Sequence, residues 1–63
     1  MITIQIDFNT IEKNGKLKLA KELIAKNVTE GTLIILSSPS AHTPKFATLY
    51  QTDEDFYYLR IQD

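Results

Sequence analysis

The segment 37–44, Ser-Ser-Pro-Ser-Ala-His-Thr-Pro, brings together residue types that can act as a nucleophile and a base. A serine hydroxyl attacks a substrate efficiently when a nearby histidine removes its proton and a third group orients that histidine. His42 is the only histidine, no nucleophile-elbow motif surrounds a serine, and no orienting carboxylate has an evident place. We therefore expect a connecting or contact loop here, in a protein that is not an enzyme.

The acidic run Asp53-Glu54-Asp55 is the candidate for a cation site. Calcium takes six or more oxygen ligands at defined spacing, and three consecutive acids do not supply them. The chain has no cysteine, which removes thiolate ligands and disulfides, and its single histidine argues against zinc. We expect no metal and no cofactor. The run is interpreted as a solvated turn, or alternatively as an acidic prong that meets a basic groove on a partner.

The segment predicted as the last strand, residues 56–62, alternates between two sets of side chains, as in a strand with two different faces. The more apolar set suits a core and comprises Tyr57, Leu59 and Ile61. The other set comprises Phe56, Tyr58 and Arg60. Tyrosine and arginine contribute much of the binding energy at protein interfaces. This second set therefore indicates a contact surface.

These groups must be positioned by a chain of 63 residues, which is one domain at most. Residues 2–8 alternate and predict a strand. A helix is predicted from about residue 10 or 16 to residue 27, with Asn9 and Glu12 as a cap and Lys26 in the last turn. Its apolar stripe has helical spacing and comprises Leu17, Ala20, Leu23, Ile24 and Val28. Alternatively, Asn14-Gly15 marks a hairpin and Lys16–Leu19 is a strand.

The apolar run Leu33–Leu36 predicts a central strand, and strands at about 45–51 and 56–62 follow it. We therefore predict a single α+β domain over residues 1–63, in two layers and in β-α-β-β-β order. One helix packs on a mainly antiparallel four-stranded sheet, the last three strands form a meander, and a parallel pairing of the first two would require a right-handed crossover. One helix cannot cover both faces of such a sheet, so one face is left open.

The membership of this open face depends on the register of the last two strands, because a shift of one residue turns a strand over. An even-numbered turn puts Phe46, Thr48 and Tyr50 in the core, and an odd-numbered turn puts Ala47 and Leu49 there. The turn lacks glycine, which disfavours a bulged three-residue loop and favours the even case. Alternatively, loop 37–44 folds across the face and makes it a second small core.

The candidate binding residues are Phe56, Tyr58, Arg60 and Tyr50, with Asp53, Glu54 and Asp55 as an acidic flank. Five lysines between residues 13 and 26 are expected on the solvated side of the helix. The net charge of −1 gives no general attraction to nucleic acid or to an anionic membrane. No apolar run reaches 18 residues and no signal peptide begins the chain, so we expect a cytoplasmic protein.

Taken as a complete chain that begins at Met1, the sequence predicts a small protein-binding module that inhibits or regulates a larger macromolecule. Inhibitors of host defence made by phages or mobile elements, such as anti-CRISPR proteins, are a class that fits. One alternative is a structural homodimer or oligomer built through the open face. Another is a protein that binds single-stranded nucleic acid on its aromatic strands, although the glycine-aromatic signature of such platforms is absent.

Overall fold

The computed structural model describes residues 2–24 and 27–62 and consists of a curled, mixed five-stranded sheet. Its strands are β1 (Ile2–Gln5), β2 (Lys16–Ala20), β3 (Leu33–Ser37), β4 (Lys45–Thr52) and β5 (Phe56–Gln62). The strands lie side by side in the order β1-β3-β4-β5-β2. β1 runs parallel to β3, and the other three pairings are antiparallel. β3, β4 and β5 form the predicted meander.

The predicted α+β architecture is wrong, because the described residues contain no α-helix and the sheet has five strands. The helical content is two 3-10 turns, Phe8–Thr10 and Lys21–Leu23. Neither is long and apolar enough to span a membrane. The alternative strand was the better interpretation of the segment after Gly15, since Lys16–Ala20 pairs along its whole length with β5.

Two periodicities compete in this segment, and the period of two wins. Leu17 and Leu19 alternate with lysines, and both are buried beneath the sheet. The helical stripe required Leu23 to be buried, yet that residue is 57% exposed. A helix of about 12 residues is marginal on its own, whereas pairing with β5 buries both leucines and satisfies the backbone. The expected last helical turn at Lys26 lies outside the described residues.

The predicted cap at Asn9 is also wrong, since Asp7 fills that role for a 3-10 turn. The Asp7 carboxylate accepts the Asn9 N–H at 2.9 Å, and β1 has ended by Gln5. Gly15 has φ +80°, a conformation that favours glycine, and the Asn14 side chain accepts the Lys16 N–H at 3.0 Å. This turn leads into β2, which lies at the opposite edge of the sheet from β1.

The core lies inside the curl of the sheet. Its fully buried side chains come from the three central strands and are Ile34, Leu36, Ala47, Leu49 and Leu59. Phe8 and Ile11 from the β1–β2 connection pack against this cluster, as do Ile24 and Val28 from the β2–β3 connection. The connections and the curl therefore cover the face that the sequence assigned to a helix. The other face of the sheet stays open.

Candidate binding face

A β-bulge at Tyr50 determines which β4 side chains reach the open face. Near the turn, Thr52 pairs with Tyr57 and Gln51 with Tyr58, which is the even-numbered arrangement. The register then shifts between Leu49 and Gln51. A bulge places two residues of one strand opposite one of its partner. The turn is therefore even, as favoured from the sequence, but the consequence drawn from it is wrong over most of β4.

Beyond the bulge, Leu49 pairs with Leu59 and Ala47 with Ile61, so these residues face the core. The Leu49 backbone bonds to Gly31 and Thr32, which fixes the strand where it bends. The open face is the sheet face opposite this core. Its aromatic and aliphatic members are Leu33, Ile35, Phe46, Tyr50, Phe56 and Tyr58, and its cations are Lys16, Lys18 and Arg60.

The cations of the open face lie over its aromatic rings. The Lys18 ammonium is 4.0 Å from the centre of the Phe56 ring. The Tyr50 ring has Arg60 at 5.2 Å and Lys16 at 5.8 Å. Such contacts are worth roughly 0.5–1 kcal/mol each at exposed sites. Positive charge and aromatic surface are thus interleaved on one side of the sheet.

Asp53 organises the turn beside this face. One of its carboxylate oxygens accepts the backbone N–H groups of Asp55 at 2.9 Å and Phe56 at 2.8 Å. The other accepts the Tyr58 hydroxyl at 2.6 Å. The Tyr58 hydrogen bond, the two N–H bonds and then the charge of Lys18 lower the pKa of Asp53. The same hydrogen bond raises the pKa of Tyr58.

The structure therefore divides the seven predicted site residues into two groups. Phe56, Tyr58, Arg60 and Tyr50 share the open face. The acidic flank is not one surface: Asp53 is engaged by the turn, whereas Glu54 and Asp55 border a shallow cleft with Lys21 and Glu22. Only the first group combines with further exposed apolar side chains.

Sequence reasoning placed Lys16 and Lys18 on a solvated helix and thus missed them as members of the open face. The alternation Lys-Leu-Lys-Leu over residues 16–19 carried the signal, because it has the period of a strand. The sequence predicted Phe46 as a member of the open face only if the turn between β4 and β5 was odd-numbered. It is 43% exposed, and Leu33 beside it is 39% exposed.

Loop 37–44 does not turn the open face into a second core. Ser38, Pro39 and Ser40 border a cleft with residues 5–7 and Asn9, at and just after the end of β1, and Phe46 and Leu33 stay exposed. Within the loop the Ser38 and Ser40 hydroxyls lie 3.1 Å apart, and His42 is exposed.

Among residues 2–24 and 27–62, no group of three or more histidine or acidic side chains is arranged to hold a metal ion. Comparison with known proteins adds no function: no family model matches the chain, and neither a curated protein nor a solved structure is significantly similar to it.

Proposed function

We propose that this protein is a small protein-binding module that acts through its open face and inhibits or regulates a larger macromolecule. The observation that carries the proposal is the exposure of Phe46 and Leu33 on the sheet face that also bears Tyr50 and Tyr58, a face that the described residues leave uncovered. Exposed apolar patches rimmed by polar groups mark interaction sites on small proteins. The proposal keeps the cytoplasmic location expected from the sequence, and phage-type inhibitors of host defence, such as anti-CRISPR proteins, as the favoured class.

Two side chains with high interface propensity are held in place before any partner arrives. Tyr58 is fixed by its bond to Asp53, and Arg60 lies against the Tyr50 ring. Ordering a free side chain at an interface costs roughly 0.5–1.5 kcal/mol, so a preorganised tyrosine and arginine reduce this cost. This supports Tyr58 and Arg60 as the centre of the contact.

Site-specific photo-crosslinking in the native host tests the proposal. A benzophenone amino acid at position 46 should capture the partner, because Phe46 projects from the open face. Position 23 is the matched control, since Leu23 is exposed on a 3-10 turn off that face. Equal capture from both positions, or capture from position 23 alone, would remove the open face from consideration.

Alanine variants of Tyr58 and Arg60 provide the energetic test once a partner is captured. Each should weaken binding at least tenfold, as expected of interface hot spots, while the folded spectrum is retained. Glu54→Ala is the control, because Glu54 is exposed on the turn outside the aromatic set. If both variants bind as tightly as the wild type, the contact lies elsewhere.

A homodimer through the open face is disfavoured by charge. In a two-fold interface the same patch is present on both copies, so the cations Lys16, Lys18 and Arg60 would be brought together. We expect a monomer at low salt in sedimentation velocity. A dimer that persists there at micromolar concentration would favour the structural role instead.

Single-stranded nucleic acid is a second candidate, favoured by one observation. Lys16 and Lys18 lie on the aromatic face of the sheet, and interleaved cations and rings are typical of single-strand platforms. A gel-shift titration with a single-stranded oligonucleotide tests it. Because phosphate contacts strengthen steeply as salt falls, the lack of a shift at low salt would exclude this candidate.

A further inference from the structure

The open face carries a charge opposite to that of the whole molecule. The chain has a net charge of −1, yet Lys16, Lys18 and Arg60 project from this one face. Asp53 reaches the face from the turn, and its three hydrogen bonds favour its ionised form rather than neutralise it. Three cations against this one acid still give the face a local positive field on a molecule that is slightly acidic overall.

Two of these cations, Lys16 and Arg60, lie where their charges contribute least to the stability of the fold. Lys16 and Arg60 are directly opposite on β2 and β5. The Ile61 N–H donates to the Gly15 carbonyl at 2.7 Å, so the next pair along, Lys16 and Arg60, is the non-hydrogen-bonded kind. The Cα atoms of such pairs are only about 4.5 Å apart, and like charges there are destabilising. An acid at either position would suit the sheet better.

The spacing of the cations matches an extended ligand. Lys16 and Lys18 are alternate residues of β2 and lie about 6.8 Å apart along the strand. Alternate side chains of any extended peptide have the same interval. We propose that the open face binds an extended acidic segment of a partner protein, whose alternate carboxylates pair with Lys16 and Lys18 and reach Arg60 across the strand. The proposal rests on the protein-binding function and specifies the chemistry of the partner.

A carboxylate segment fits this face better than a nucleic acid does. Two of the ring faces that bases would use are already occupied, since Lys18 lies over Phe56 and both Lys16 and Arg60 lie over Tyr50. A base would have to displace a cation before it stacked on either of these rings. Carboxylates need only the charged ends of these side chains and leave the cation–ring contacts in place.

Amide-resolved NMR titration with synthetic peptides tests the proposal. The probe Glu-Val-Glu-Val-Glu should give saturable shifts in β2 and β5. Its glutamine counterpart should not, and neither should the reordered peptide Glu-Glu-Val-Val-Glu, in which no two glutamates are two positions apart. Lys16→Gln and Lys18→Gln should each weaken binding of the probe roughly fivefold. Lys45→Gln is the control, because Lys45 lies over Phe8, away from this face, and it should bind as the wild type does.

Each contrary outcome has a distinct meaning. Equal binding of the glutamine peptide would show that charge does not select the ligand. Equal binding of the reordered peptide would show that the alternate spacing of the carboxylates is not required. Saturable binding of an oligothymidylate in place of the probe would overturn the proposal in favour of nucleic acid. If no peptide binds while position 46 still captures a partner, the acidic-segment proposal fails and the protein-binding function stands.

Discussion

Asp53 illustrates how one side chain can be structural where its sequence neighbours are not. The run Asp53-Glu54-Asp55 looks uniform, but only the first carboxylate accepts the N–H groups of Asp55 and Phe56 and the Tyr58 hydroxyl. An aspartate that bonds to backbone groups two and three residues ahead fixes a tight turn. Asp53 thereby positions Tyr58 as well as the turn.

We expect Asp53→Asn to remove an acid-sensitive part of the stability. The pKa of Asp53 is lowered in the folded state, so its ionised form stabilises the fold above its ordinary pKa of about 4, and this is lost as pH falls through the lowered value. Thermal melts should show the wild type above the variant near neutral pH and the two converging in acid. Glu54→Gln is the matched control, because it leaves Asp53 and its three hydrogen bonds in place. A constant offset for Asp53→Asn would contradict the assignment.

The same variant has a spectroscopic readout at high pH. The bond to Asp53 raises the pKa of Tyr58, so removing that carboxylate should bring the phenol back toward about 10. Phenolate absorbance follows the titration, and Tyr58→Phe identifies which of the three tyrosines is responsible. An unchanged titration curve in Asp53→Asn would mean that the hydrogen bond is not formed in solution.

At the scale of elements, β2 is where helix and strand make opposite predictions. The helical stripe contains Leu23 and omits Leu19, whereas the strand buries Leu19 and leaves Leu23 exposed. Leu19→Ala should therefore lower the free energy of unfolding by about 3 kcal/mol, and Leu23→Ala should change it by less than about 0.5 kcal/mol. Chemical denaturation measures both. A larger loss of stability in Leu23→Ala than in Leu19→Ala would support a helix in this segment instead.

The strands with an alternating or a continuously apolar sequence could be predicted, because each of these patterns indicates a strand and no other element at that position. β3 with its apolar run and β5 with its alternation lie where the sequence put them. Lys16–Ala20 was ambiguous, since Leu17 fits both periods, Ala20 fits only the helix and Leu19 fits only the strand. The choice depends on pairing with β5, some 40 residues away. The bulge at Tyr50 had no local signal, because it follows from aligning Ala47 and Leu49 with the core.

Deleting Tyr50 tests whether the bulge is an addition to an otherwise regular ladder. Without Tyr50, Gln51 still pairs with Tyr58 and Leu49 with Leu59, so the register of β4 is kept. We expect this deletion to retain the fold, as seen in its amide spectrum. Deleting Thr48 instead would drive Phe46 into the fully buried position of Ala47, and we expect severe destabilisation. If deleting Tyr50 destabilises the protein as severely as deleting Thr48 does, the bulge is needed for folding itself.

At the scale of the whole molecule, charge and topology interact at the sheet edges. β1 and β2 are the two edge strands, and the lysines of β2 also discourage pairing with the edge of another copy. This protective role accounts for charge on β2 but not for its sign, because a glutamate would serve as well. The positive sign of Lys16 is what causes repulsion with Arg60, which lies directly opposite on β5.

Lys16→Glu separates these roles, since it keeps a charge on the edge but turns the repulsion with Arg60 into an attraction. The pair terms should gain about 1 kcal/mol and the lost contact with Tyr50 should cost about 0.5 kcal/mol, leaving about 0.5 kcal/mol of added stability. In a domain of this size that raises the melting temperature by roughly 2–4 °C. The same change should abolish binding of the alternating acidic peptide. A variant that is more stable but no longer binds is the expected result if natural selection retained Lys16 for a partner; lower stability would show that the lysine serves the fold.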